Sequence, residues 1–171
     1  KILRPSLALD PVAVRRFLEE AALLKKLKIK GIVRGHRVFK FMGTYVMEMD
    51  WVPGRTLEEY LAEGKTYSEL DALDVVVQSG RALERLRATG VVHRDLKPEN
   101  IMIGDHGEVM VMDWGVARVL HDVPEKLRPD TSDELGKSLT MDGTTIGTPG
   151  YMSPEQARGE LSQMDGRSDQ W

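Results

Sequence analysis

Apolar residues near the start of the chain recur with the period of a helix. Between Asp10 and Lys28 they return every three or four residues, which is typical of one buried helix face. Asp10 followed by Pro11 is a favourable helix start, because aspartate caps free N–H groups and proline fits the first helical position. We therefore predict an amphipathic helix from Pro11 to about Lys28. Its apolar positions are Val14, Phe17, Leu18, Ala21, Leu24 and Leu27.

Shorter apolar runs on either side of this helix predict strands. Residues 1–4 are apolar and basic and are read as the end of a strand. The runs Ile32–Phe39 and Thr44–Met49 flank a turn at Met42-Gly43, which predicts a hairpin. The break at Pro53-Gly54 then separates this part from the rest of the chain.

The second part of the chain is predicted to be mainly helical. A short helix is expected near Thr56–Ala62 and a longer one from about Ser68 to Thr89. Between Val91 and Trp114, short apolar runs alternate with polar turns, so we predict a loop, a strand, a turn and a strand. Residues 121–149 are rich in polar residues, Pro and Gly and predict a long mobile loop, and Pro154 begins a last short helix.

Composition narrows the class of protein. The chain has 171 residues, 41% hydrophobic and 30% charged, which fits a soluble globular domain with a real core. A net charge of −3 speaks against nucleic acid as a partner. The absence of cysteine excludes disulfides, thiolate zinc sites and a cysteine nucleophile. No apolar run is long enough to span a membrane, so we expect no membrane contact from this segment and a cytoplasmic location.

The strongest chemical signal is the octapeptide from His93 to Asn100, His-Arg-Asp-Leu-Lys-Pro-Glu-Asn. It resembles the catalytic loop of eukaryotic-type (Hanks-type) serine/threonine protein kinases at every specified position. The resemblance implies that Asp95 accepts the proton of the substrate hydroxyl and that Lys97 neutralises the transferred phosphoryl group. It also implies that Asn100 binds a magnesium ion on the nucleotide.

A second motif, Asp113-Trp114-Gly115, follows an apolar run at 109–112. It resembles the Asp-Phe-Gly of the same family, with tryptophan in place of phenylalanine. The resemblance implies that Asp113 is a further magnesium ligand. Gly115 would give the backbone the freedom needed where the activation segment begins.

The resemblance also implies that Trp114 joins an apolar stack with His93, Leu24 and Gly35. Because glycine has no side chain, we expect the large indole to fill the space above Gly35, and its N–H needs an acceptor if buried. A strand register shifted by one or two residues, with Val33 or His36 pointing inward instead, stays open.

The segment from Gly147 to Glu155 reads Gly-Thr-Pro-Gly-Tyr-Met-Ser-Pro-Glu. It resembles the end of a kinase activation segment, with Ser-Pro-Glu in place of Ala-Pro-Glu, and the next four residues, 156–159, resemble the bacterial branch of the family. The resemblance implies that Thr148 contacts Asp95. It also implies that Asp169 holds the catalytic loop through backbone hydrogen bonds.

Phosphorylation of this segment is a further expectation. In the family the arginine before the catalytic aspartate, here Arg94, belongs to a basic pocket for a phosphorylated loop residue. Three threonines precede Gly147, and of these we prefer Thr140 and Thr144 over Thr145. The added phosphate would pair with Arg94 and order the segment.

The same resemblance assigns the nucleotide side of the site. Lys1 would hold the α- and β-phosphates, and Glu20 would pair with it, with Glu19 as a rival. Two registers are open for the hinge, and the distance to Gly54 favours Met49 as gatekeeper. The predicted hinge residues, whose backbone would pair with adenine, are Asp50, Trp51 and Val52.

These assignments predict an α+β fold with two lobes, truncated at both ends. Residues 1–49 would form part of a small lobe that lacks the glycine-rich loop. Residues 50–52 would be the hinge, and 53–171 would form a large lobe that lacks its last helices. The segment from Asp113 to Glu155 is longer than in most relatives. On its own, the chain is expected to be weakly active or inactive.

The expected activity of the intact protein is transfer of the γ-phosphoryl group of ATP to protein serine or threonine, with Mg²⁺ or alternatively Mn²⁺. A homodimer for autophosphorylation and a membrane anchor outside this chain stay open. The main alternative is a kinase-shaped binding module that no longer catalyses. The second is a phosphotransferase for small molecules, which shares only a sparser form of the octapeptide.

Overall fold

The computed structural model describes residues 1–115, 117–119 and 146–171. The helices found there are α1 (Pro11–Lys26), α2 (Leu57–Ala62), α3 (Glu69–Arg87) and α4 (Pro154–Ala157). The strands are β1 (Gly35–Phe41), β2 (Thr44–Met49), β3 (Gly54–Thr56), β4 (Val91–Val92), β5 (Ile101–Gly104), β6 (Val109–Val111) and β7 (Arg118–Val119). Turns of 3₁₀ helix lie at Pro5–Leu7, Pro98–Asn100, Pro149–Tyr151, Leu161–Gln163 and Ser168–Gln170. The predicted α+β fold in two lobes is confirmed.

The small lobe is a hairpin covered by one helix. Strands β1 and β2 pair antiparallel around the turn at Met42-Gly43, where both residues have positive φ. Residues 1–3 run along the other edge of β2, with the Met47 N–H donating to the Lys1 carbonyl at 2.8 Å. Helix α1 begins as predicted, since the Asp10 carboxylate accepts from the N–H of Val12.

One predicted strand starts later than the sequence indicates. The run from Ile32 was expected to belong to the hairpin, but β1 begins at Gly35. Ile32 instead forms a parallel bridge with Val111, and the Val33 N–H donates to the Val111 carbonyl at 3.3 Å. Alternation of side chains cannot reveal this change of partner, because the backbone stays extended through both pairings.

The large lobe combines helices α2, α3 and α4 with short strands. Strands β3, β5 and β6 form an antiparallel sheet in that order, and β4 pairs with β7. Helix α2 opens with a capping box between Thr56 and Glu59. Helix α3 starts after the Ser68 cap and ends at Arg87, two residues short of the predicted end.

A single apolar core runs through both lobes. From α1 it takes Phe17, Ala21 and Leu24, which lie on one helix face, and from α3 it takes Ala82 and Leu86. Trp114 and Val111 lie in the same cluster. The two lobes are therefore packed together around the elements that carry the candidate site. In the part of the chain that the structure describes, no helix is both long and apolar enough to cross a membrane.

The space above Gly35 is occupied by helix α1, which corrects the expectation for Trp114. A Cβ built at Gly35 would lie 2.8 Å from the Leu24 Cβ, and its three nearest heavy atoms all belong to α1. Gly35 is buried and faces inward, as expected. The helix approaches the strand so closely because glycine has no side chain, so Leu24, rather than the indole, limits residue size there.

Substituting Gly35 therefore tests the docking of α1. We expect Gly35→Val to lower stability by about 1–3 kcal/mol through overpacking against Leu24. Gly80→Ala is the matched control, since Gly80 is exposed within α3 and a Cβ there would meet no heavy atom within 4 Å. That change should be neutral or stabilising by about 0.5–1 kcal/mol. Urea unfolding of both variants is the measurement, and an unaffected Gly35→Val variant would contradict the close packing.

Candidate active site

The candidate catalytic loop is held in place by a distant carboxylate. Buried strand β4 leads into His93, and the Asp169 carboxylate accepts the backbone N–H groups of His93 and Arg94, both at 2.8 Å. Arg94 has a φ of 68°, a conformation that costs energy for a residue other than glycine. The two hydrogen bonds to Asp169 hold the loop in this conformation.

The His93 ring connects this loop to the segment before Asp113. It is fully buried, its Nε2 lies 2.9 Å from the Met112 carbonyl, and its Nδ1 accepts the Asp95 N–H at 3.2 Å. Nε2 must therefore carry the proton and Nδ1 must be bare, which is the neutral imidazole. Burial lowers the pKa of His93 below its ordinary value, against the opposing effect of the Met112 carbonyl and nearby carboxylates.

Three side chains predicted from the sequence, those of Lys97, Asn100 and Thr148, meet around Asp95. The Thr148 hydroxyl donates to Asp95 Oδ1 at 2.7 Å and accepts from Lys97 Nζ at 2.7 Å. Lys97 Nζ also lies 3.3 Å from Asp95 Oδ2. The Asn100 amide nitrogen donates to the Asp95 backbone carbonyl at 2.8 Å. A carboxylate, a cation and a hydroxyl are thereby held within reach of one another, and the backbone of Asp95 is fixed.

Lys1, Glu20 and Asp113 form a second charged cluster. Lys1 Nζ contacts both Glu20 carboxylate oxygens, at 2.8 and 2.9 Å, and Asp113 Oδ1 at 2.8 Å. The expected Lys1–Glu20 pair is therefore present, whereas the contact with Asp113 was not anticipated. Glu19 pairs with Arg15 instead. The backbone N–H of Trp114 donates to Glu20 at 3.3 Å, so helix α1 also fixes the Asp113-Trp114 backbone.

Charge and burial oppose each other in this cluster. Burial alone would lower the pKa of Lys1, but the charges of Glu20 and Asp113 outweigh it and raise that pKa. Burial would raise the pKa of Asp113, but Lys1 outweighs it and the pKa falls. Glu20 lies deeper and shares the same ammonium, so burial prevails and its pKa is raised.

An open cavity of about 480 Å³ lies beside the Lys1 cluster, with Lys1, Glu20 and Asp113 in its wall. Its walls include all the residues predicted for the nucleotide side and several that the sequence did not single out. It is lined by Lys1, Glu20, Val33, Met47, Glu48, Met49, Asp50, Trp51, Val52, Met102, Met112 and Asp113. Met47 and Met49 lie two apart on β2 and both face it. Such alternation could have indicated both methionines, and Val33 was the alternative inward residue of the strand, but nothing local marks Met102 or Met112.

The Trp114 indole lies at the junction of the two lobes. It is 1% exposed, and its ring centroid is 4.5 Å from that of His93 in an edge-on arrangement. Leu24, the expected third member of the stack, is also fully buried in the same cluster. The indole N–H is buried and finds no acceptor among residues 1–115, 117–119 and 146–171.

Of the remaining predicted residues, Glu155 and Gly115 lie in the described part of the chain, and the candidate phosphorylated threonines lie outside it. Glu155 accepts a hydrogen bond from the Ser168 hydroxyl, which lowers the pKa of Glu155 and ties the Gly147–Glu155 segment to the turn that carries Asp169. Gly115 lies two residues after Asp113, and its backbone N–H lies 3.4 Å from the Asp113 carboxylate. Thr140 and Thr144, with Thr145, lie outside the described residues, as does the loop expected over most of 121–149.

Comparison with known proteins identifies the family. Residues 3–171 match the protein kinase domain model, and the chain belongs to the protein kinase domain family. The chain is 37% identical over 99% of its length to a probable serine/threonine-protein kinase PknB of Corynebacterium glutamicum. It is 37% identical over 99% of its length to the serine/threonine-protein kinase pkn3 of Myxococcus xanthus, and 31% identical over 93% to a probable PknB of Lactococcus lactis. It spans 25%, 30% and 23% of the length of these three proteins, respectively.

The buried neutral His93 predicts a specific acid sensitivity. The unfolded chain takes up a proton at this residue below its ordinary pKa of about 6.5, whereas the folded chain does not. Stability should therefore be unaffected above about pH 6.5 and should fall as pH drops below it, by at most about 1.4 kcal/mol per pH unit.

The His93→Gln variant isolates this effect, because an amide can also donate to Met112 and accept from Asp95. Melting temperatures of both proteins between pH 7.5 and 5.5 are the measurement. The wild type should lose more stability than the variant over this range. Equal slopes would show that His93 does not resist protonation.

Proposed function

We propose that the protein carrying this chain is a serine/threonine protein kinase that uses ATP. The observation that carries the proposal is the presence of two side-chain clusters: one of Asp95, Lys97 and Thr148, and one of Lys1 and Asp113, which lines the cavity. The Asp95 cluster suits a hydroxyl substrate, because a carboxylate can accept its proton. The Lys1 cluster suits phosphates, because an ammonium can bind them. Serine/threonine kinases among the relatives support the same class.

The nucleotide would be held mainly from the small lobe. Lys1 is the candidate ligand for the α- and β-phosphates, with Glu20 fixing its position. Met49 is the candidate gatekeeper, and Asp50, Trp51 and Val52 follow the end of β2 as a hinge should. The Asp50 N–H already donates to the Arg34 carbonyl at 2.9 Å, so adenine would pair with other backbone groups of the hinge. The proposed lobes are therefore 1–49 and 53–171, joined by 50–52.

Magnesium fits the oxygen ligands available. The Asp113 carboxylate and the Asn100 amide oxygen are hard donors, and a site of one or two side chains completed by phosphates and water is typical of Mg²⁺ in kinases. Within the described residues, no cluster of three or more His, Cys or acidic side chains offers a metal site made by protein alone. Manganese accepts the same ligands. The bound ion would neutralise phosphate charge.

Transfer to the substrate would use the Asp95 cluster. As the serine or threonine oxygen forms its bond to the γ-phosphorus and the bond to ADP breaks, the hydroxyl proton passes to Asp95. Lys97 lies beside this carboxylate and is suited to stabilise the charge on the moving phosphoryl group. We further propose that Arg94 receives a phosphorylated loop residue, and that two copies of the protein phosphorylate each other in the cytoplasm.

The decisive test compares two substitutions in the full-length protein. Asp95→Asn should lower the rate of transfer from ATP to a protein substrate by about 10²–10⁴-fold while leaving nucleotide affinity nearly unchanged. Asp113→Asn should in addition weaken Mg²⁺-nucleotide binding by about tenfold or more, because it removes a charged ligand. Titration with nucleotide and Mg²⁺ separates the two.

Two results would contradict the proposal. Equal loss of nucleotide affinity in both variants would refute the separate roles of Asp95 and Asp113. A wild-type protein that binds ATP but transfers nothing would be a binding module, whereas transfer to sugars or small alcohols in preference to protein would define a small-molecule phosphotransferase.

Phosphorylation of the activation segment is tested separately. We expect the active full-length protein to carry phosphate on Thr140 or Thr144. The double alanine variant should lose most of its activity, because it cannot carry the phosphate that would pair with Arg94. Mass spectrometry of the active protein is the measurement, with Thr145→Ala as the control. Unmodified Thr140 and Thr144 in a fully active protein would refute the proposed phosphorylation.

A further inference from the structure

Gln156 is a buried amide that the proposed chemistry does not use. It lies in the short helix α4, directly after Glu155, and is 3% exposed. A buried side-chain amide needs partners for both of its ends, since an unpaired polar group in the interior is costly. Its partners therefore indicate what it holds together.

The two ends of this amide contact three different backbone groups. Gln156 Nε2 donates to the Arg94 carbonyl at 2.7 Å and to the Ile146 carbonyl at 3.2 Å. Gln156 Oε1 accepts the Ser153 N–H at 3.1 Å, completing a capping box. Two acceptors face the nitrogen and one donor faces the oxygen, so all three partners agree on the orientation of the amide.

Each of the two carbonyls lies in the backbone just before a residue of the Asp95 cluster. Arg94 directly precedes Asp95, and Ile146 is separated from Thr148 only by Gly147. Gly147 has a φ of 125°, and a Cβ there would lie 2.9 Å from the Arg94 carbonyl oxygen and 3.1 Å from Gln156 Nε2. The backbone of the segment is therefore pressed against the catalytic loop at this point, and Gln156 bonds to both.

We propose that Gln156 is a positioning residue for phosphoryl transfer. Its amide joins the backbone before Asp95 to the backbone before Thr148, and this link holds the Thr148 hydroxyl against the Asp95 carboxylate. The proposal rests on the kinase function proposed above. It assigns Gln156 a role in the geometry of the hydroxyl side of the site and none in nucleotide binding.

Gln156→Glu in the full-length protein is the primary test. The variant has nearly the same shape and keeps the oxygen that accepts from Ser153, but it loses the donor and sets an oxygen against two carbonyls. We expect kcat for a protein substrate to fall about 10- to 100-fold, as misplacement of a reacting group commonly does, with little change in KM for ATP. Amide hydrogen exchange in residues 146–152 should accelerate.

Gln78→Glu provides a matched control far from the site. Gln78 Nε2 donates to the Asp74 carboxylate at 2.7 Å and to the Gly107 carbonyl at 3.0 Å, and its Oε1 accepts the Val109 N–H at 3.1 Å. Gln78→Glu therefore also removes a donor with two acceptors. Its kcat should stay within about twofold of wild type. Combining Gln156→Glu with Thr148→Ala should add less than about twofold to the loss from Thr148→Ala alone, because both changes act on one contact.

Each outcome decides a separate point. Unchanged exchange in 146–152 would overturn the link itself. Accelerated exchange with independent, multiplying effects of Gln156→Glu and Thr148→Ala, or an equal loss of kcat in Gln78→Glu, would overturn the positioning role. An inactive wild type would refute the proposed function, and the exchange comparison would still support or overturn the link between the two segments.

Discussion

The bifurcated ion pair of Lys1 with Glu20 and Asp113 is the interaction on which the arrangement of the two lobes depends. It joins three segments that are far apart in sequence: the start of the chain, helix α1 and the loop after β6. Glu20 is nearly inaccessible, and a buried carboxylate without a partner would be strongly destabilising. Lys1 therefore stabilises the position of helix α1, which the apolar core also holds, and the Trp114 backbone is fixed with it because it donates to Glu20.

The Asp95 cluster depends on a different kind of restraint. There the backbone carries the geometry: Asp169 accepts the N–H groups of His93 and Arg94, and Arg94 has a left-handed conformation. The Ser168–Glu155 contact ties the same turn to the segment that presents Thr148. One short turn near residue 169 thus supports both the carboxylate and the hydroxyl of the Asp95 cluster.

The sequence predicts well what is determined locally. Asp10-Pro11 marks the start of α1 because capping involves neighbouring residues, and the octapeptide at 93–100 places Asp95 beside Asn100 through a single turn. Local sequence patterns do not predict contacts between distant segments. Nothing near Ile32 indicates that the strand leaves its hairpin partner for Val111. The contact of Lys1 with Asp113 and the position of Leu24 above Gly35 depend equally on how the lobes meet.

The three tryptophans of the chain occupy three distinct environments. Trp51 is 88% exposed at the mouth of the cavity, Trp171 is 71% exposed on the large lobe, and Trp114 is sealed against His93 where the lobes join. A water-soluble quencher would reach the first two and leave the third emitting alone. In this chain, the fluorescence that survives quenching would then come from a single indole between the lobes, which makes Trp114 an optical reporter of how they are packed.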